Sequence, residues 1–178
     1  MVRISLILTT TLLAMSATAS PIETVVLSPG ETADFDVETD GVADPHVAMA
    51  FDLTGLPKDA VVIHAFLRLT EGEGIPWDAE YVPVIVAPVT HSWNAESADA
   101  AWDEARTSRR VLMRQAATPA KFMLTTIVKE WLAGARPNHG LMAMLEEAAD
   151  LADVAPHFNA ETLKPTLEIR YLVPQADR

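Results

Sequence analysis

The chain has 178 residues, 49% of them apolar and 21% charged, a net charge of −12 and no cysteine. That apolar fraction supports the core of one domain and excludes a wholly disordered chain. So acidic a chain lacks the clustered cations that phosphate backbones require, and without cysteine it can hold neither disulfide staples nor a lipidated cysteine.

The first residues, "MVRISLILTTTLLAMSATAS", place Arg3 ahead of an apolar stretch from Ile4 to Met15, then Ala17-Thr18-Ala19. This is the pattern of a secretory signal peptide cleaved before Ser20, and the stretch is short for a membrane span. Residues 1–19 are therefore the expected signal peptide and 20–178 one domain, secreted to the periplasm or beyond, with no membrane insertion after cleavage. Loss of the single positive charge of Arg3 takes −12 to −13. Nucleic acid is not an expected partner.

From Pro21 onward, short strand-like runs alternate with turn signals. "ETVVLSPG" is an apolar run closed by Pro29-Gly30. "ADFDVETDG" puts Asp34, Asp36, Glu38 and Asp40 on one strand face. These four are the candidate calcium ligands. An EF-hand is excluded, because counting from Asp36 puts Val47 where the twelfth-position glutamate belongs. The alternative is a solvated acidic edge that discourages sheet-to-sheet pairing.

"HVAMAFDL" aligns Val47, Met49, Phe51 and Leu53 on one face. "VVIHAFLRL" sets Ile63, Ala65, Leu67 and Leu69 against His64, Phe66 and Arg68, a half-buried strand. The loop "EGEGIPWDAEY" holds Trp77 and Tyr81, which no periodicity requires to be buried. Aromatics on a loop are suited to stack on a sugar ring or to pack the loop down. "YVPVIVAPV" is β-prone but interrupted by Pro83 and Pro88, which predicts an edge strand or bulges.

"AESADAAWDEARTSRR" predicts a polar helix. Arg106, Arg109, Arg110 and Arg114 form the basic cluster of the chain, fit either for a carboxylated sugar or for salt bridges to Asp103 and Glu104. "TTIVKEWLAG" predicts a second helix, capped by Thr125 or Thr126, with Ile127/Trp131 and Val128/Leu132 as its apolar stripe. Gly134 suits the left-handed residue after it, and Gly140 a positive φ in the turn Pro137–Gly140. "GLMAML" and "PTLEIRYLV" complete the strands, the latter with Leu167, Ile169 and Tyr171 on one face. The prediction is an all-β, jelly-roll-like sandwich with one or two short corner helices.

Chemistry is sparse. The five histidines (His46, His64, His91, His139 and His157) show no metal-ligand spacing and read as surface or turn residues. Ser92 beside His91 would point to the opposite strand face, and no G-x-S-x-G motif occurs. The expectation is a non-catalytic protein. Trp93, Trp102 and Trp131 read as core or corner packing.

The order of segments resembles the DNRLRE domain family, also described as carbohydrate-binding module family 96. It is similar as well to disaggregatase-related repeats and to the TGF-β propeptide-like sandwich. The matching pieces are Phe51-Asp52-Leu53 with Leu56-Pro57, Ala65-x-Leu67-Arg68-Leu69, and Thr90-x-x-Trp93-Asn94 with Trp102 beyond. They continue with the helix of Thr125 to Gly134, Asn138-x-Gly140-Leu141, Phe158 with Glu161, and Pro165-x-Leu167. Met123 stands where such domains often carry aspartate. The resemblance implies a secreted jelly-roll module that binds a polysaccharide, alginate being the type known for the family. It implies alternatively a cell-surface or matrix subunit, for which "IETVVLSP" would supply strand addition to a neighbouring protein.

Overall fold

The computed structural model describes residues 21–39, 42–69, 81–98, 109–114, 120–145 and 151–174. Among them, nine strands form two antiparallel sheets. The strands are β1 (Ile22–Leu27), β2 (Glu31–Thr39), β3 (Val42–Ala50), β4 (Val61–Leu69), β5 (Tyr81–Pro88), β6 (Arg109–Arg114), β7 (Ala120–Met123), β8 (Leu141–Leu145) and β9 (Thr166–Leu172). Two short helices are α1 (Thr125–Leu132) and α2 (Ala160–Leu163). The sheet orders are β1-β9-β4-β7 and β2-β3-β8-β5-β6.

The pairing is nested. β5 pairs with β6, β4 with β7, β3 with β8, and β1 with β9. Such nesting is a long antiparallel ribbon folded back at β5–β6 and rolled up. Lateral pairs β4·β9 and β5·β8 then close each sheet. That is the jelly-roll arrangement, with β2 added as a hairpin partner outside β3.

The core lies between the sheets. Val47, Met49, Val84, Val86, Leu141 and Ala143 from the larger sheet meet Ala65, Leu67, Phe122, Leu167 and Ile169 from the smaller. Each large side chain fully buried there stabilises the fold by about 1.5–3 kcal/mol. The larger sheet is covered on its other face too. Ala33, Ala48, Ala87, Met142 and Met144 form a second apolar layer, with Trp93 and Ala98 packed into it. β8 is buried at all five positions, which explains why "LMAML" is apolar throughout and not alternating. Trp93 Nε1 donates to the His139 carbonyl at 2.6 Å, so this tryptophan is the packing residue expected of it.

α1 closes one end of the sandwich, as its stripe predicts, with Ile127, Val128 and Trp131 buried. Leu132 is 38% exposed and leaves the stripe. The expected threonine cap is not made: Leu124 is the N-cap, and Thr125 Oγ1 accepts instead from Ala65 N–H at 3.0 Å, tying α1 to β4. Gly134 and Gly140 have φ of 68° and 90°, as read from the sequence. Asn138 holds the following turn, donating through Nδ2 to the Phe51 carbonyl and accepting from Gly140 N–H.

Several expectations are corrected. β5 is an interior strand, not an edge. Pro83 faces Leu112 of β6, and Pro88 faces Leu141 of β8. A register shift between Val62 and His64 turns Val62 inward in place of Ile63. The predicted polar helix fails at its end, because Arg109 and Arg110 begin β6. β6, β7 and α2 were not expected. His46 is buried, 2% exposed, where a surface residue was expected.

Candidate ligand-binding face

Among the described residues, the outer face of the four-stranded sheet exposes side chains from all four strands, and its composition follows from register. Cross-strand partners share a face. The rungs are therefore Ile22–Leu172–Val61, then Thr24–Arg170–His64, then Val26–Glu168–Phe66–Met123, then Thr166–Arg68–Lys121. Ile22, Val26, Val61 and Met123 are each about half exposed (55%, 58%, 51% and 48%). Thr24, His64, Lys121 and Arg170 are exposed, and Phe66, Arg68 and Glu168 are half-buried.

The polar groups of this face are organised. Arg68 is ion-paired with Glu168 across a diagonal of the sheet. That pair neutralises one guanidinium and leaves Arg170 and Lys121 as further cations, a local excess of positive charge in a chain of −12. The rings of His64 and Phe66 lie 6.0 Å apart, tilted by 33°. Apolar rungs, an aromatic pair, threonine hydroxyls and exposed cations side by side fit a polyhydroxylated ligand that carries carboxylates or sulfates.

The acidic strand occupies the opposite kind of surface. Asp34, Asp36 and Glu38 are exposed on β2, an edge of the larger sheet. Asp34 Oδ1 accepts from Ala160 N–H at 2.8 Å, while Asn159 caps α2 through Thr162 N–H at 2.9 Å. Asp34 thus joins β2 to the α2 corner. Among the described residues no group of three or more histidine, aspartate or glutamate side chains gathers as a metal site would. Beside Asp34 runs an open groove of about 430 Å³ between β2 and the α2 corner, lined in part by Thr32, Glu161 and Lys164. A smaller one, about 250 Å³, reaches His46. His46 stacks on Phe35 at 5.4 Å and donates through Nδ1 to the Asp44 carbonyl at 2.7 Å. Burial holds its pKa below the ordinary value, with that hydrogen bond and the charges of Asp44 and Asp36 acting the other way.

Of the other residues singled out from the sequence, Tyr81 begins β5 opposite Arg114, and Arg109 and Arg110 stand opposite Val86 and Ile85. Trp77, Trp102, Arg106 and Asp40 lie outside the described residues, as do residues 1–20. His64, Phe66, Arg68 and Arg170 carry this face, and from the sequence the first three read only as the polar side of their strand. The alternation was visible; the register that sets Arg170 beside His64 was not.

No protein-family model and no curated protein matches this chain. Among the described residues no helix is long and apolar enough to cross a membrane.

Proposed function

We propose that the protein is a secreted, non-catalytic binding module for an extracellular or periplasmic polysaccharide, held on the open face of the four-stranded sheet. The observation that carries this reading is the grouping of Arg170, Lys121 and the Arg68–Glu168 pair around His64 and Phe66 in an otherwise acidic chain. A neutral glycan needs no such excess of positive charge; a carboxylated one does. The resemblance to the DNRLRE domains supports the same class of ligand.

A glycan array spanning neutral and acidic polysaccharides, run with and without calcium, tests the reading. The expected result is binding to carboxylated chains, lost in the double variant Arg170→Ala/Lys121→Ala while the fold persists. Silence across the array would sink the carbohydrate reading.

A structural or adhesion subunit is the second reading, and one observation favours it. β1 is the edge of its sheet among the described residues, and it exposes Ile22 and Val26.

A further inference from the structure

We infer that β1 is a self-association edge, through which two copies of this chain join their four-stranded sheets into one eight-stranded sheet. This rests on the second reading above and commits it to one partner, a second copy.

The charge pattern selects the edge. β1 and β2 are the first strands of the two sheets. β2 carries Glu31, Asp34, Asp36 and Glu38, the charged side chains that keep an edge from pairing. β1, Ile22-Glu23-Thr24-Val25-Val26-Leu27, has a single ionisable side chain, and Glu23 is engaged: Tyr171 Oη donates to its Oε2 at 2.9 Å. In a chain of −12, β1 is of these two edges the one at which two copies meet with less repulsion. Among the described residues, β1 is paired on one side only, with β9.

The strand is also self-complementary. An antiparallel pair of β1 strands about a two-fold axis at Thr24 sets Ile22 against the other copy's Val26, twice, and Thr24 against Thr24. All three rungs lie on the outer face, where Ile22 and Val26 are 55% and 58% exposed. On the inner side, Glu23 meets Val25 and the two Glu23 carboxylates are not opposed. Apolar and threonine cross-strand pairs are the stabilising kinds. Shifting the axis to Val25 would set Thr24 against Val26 and Glu23 against Leu27, a poorer match on both faces. A two-fold interface of this kind closes on itself and yields a dimer, not a fibre. It would also place two copies of the Arg170 rung on one continuous face.

Sedimentation velocity over a concentration series tests this on the secreted chain. The expected result is a monomer–dimer equilibrium. Thr24→Lys opposes two cations across the axis and should weaken the dimer roughly tenfold or more with the circular dichroism spectrum unchanged. The chain has no cysteine, so Thr24→Cys reports alone. It should form a covalent dimer under mild oxidation, and Lys58→Cys, exposed in the turn before β4, should not. A chain that stays monomeric throughout, or a dimer that survives Thr24→Lys, overturns the proposal. Equal cross-linking at Thr24 and Lys58 overturns it also. An Arg170→Ala/Lys121→Ala variant, unaltered on β1, that loses glycan binding and still dimerises would separate the ligand face from this edge, so that either proposal can fail alone.

Discussion

Two residues show how much a single position carries. Gly140 has φ of 90°, and a Cβ there would fall on the Met49 carbonyl. Gly140→Ala therefore combines backbone strain with a collision against backbone that cannot swing aside. A loss of about 2 kcal/mol or more is expected by urea unfolding. Gly134→Ala should cost less, because a Cβ there meets only open space. His46 makes the fold sensitive to pH. Burial lowers its folded pKa below its value in the unfolded chain, so between the two the unfolded chain binds the proton and the folded chain does not. Its contribution is intact above the unfolded value, about 6.5, and is lost as the pH falls through the lower folded value. Urea midpoints measured from neutral to mildly acidic pH should fall, and His46→Leu should flatten that part of the profile. A profile unchanged by the substitution would remove His46 as the cause.

At the scale of elements, α1 was readable because three local signals agree: a four-residue apolar spacing, a glycine after the last turn, and an asparagine-glycine turn beyond. Its cap was not, since Thr125 spends its hydroxyl on Ala65 of β4, sixty residues away. The same division holds for strands. β9 and β8 were legible from alternation and from continuous burial. β5 was misplaced because its prolines were judged without knowing that β8 and β6 pair on either side of the strand. β4 was half right, since a register shift is a property of a pair of strands and not of one. The open face was legible only as polar alternation. Within α1, Trp131 Nε1 is buried without a hydrogen-bond partner. An unmade bond of this kind costs about 1–3 kcal/mol, which offsets much of what the indole gains by packing. Trp131→Phe should then cost clearly less than Trp131→Ala, for which about 3–5 kcal/mol is expected. Thermal unfolding of both variants checks the order; equal losses would assign the stabilisation to the indole edge.

At the scale of the whole molecule, the two sheets differ in what lies outside them. The larger bears a second apolar layer of Ala48, Ala87 and Met142, while the smaller leaves Arg68, Arg170 and Lys121 on an open face. Negative charge accumulates elsewhere, notably on β2. A carboxylated polymer should therefore be drawn to the face of Arg170 and Lys121 and repelled along β2, which biases its orientation before contact. Binding should weaken as ionic strength rises, because the interacting charges are exposed and screened beyond about 10 Å at 0.1 M salt. Arg170→Gln should reduce both affinity and the slope of that salt dependence, as read by titration calorimetry. A salt-insensitive affinity would point to the apolar rungs instead.

The nested ribbon has a mechanical consequence. Its outermost pair is β1 with β9, and Ile22 stands beside Leu172. The start of the first strand and the end of the last are thus neighbours at one end of the same sheet. Tension applied between them pulls across the rungs and not along them, so β1 would peel from β9 one pair at a time. A sandwich loaded along its strands must break all its bonds together; this one, pulled by its two ends, should open at low force, and single-molecule stretching from positions 22 and 172 would register it as a zipper.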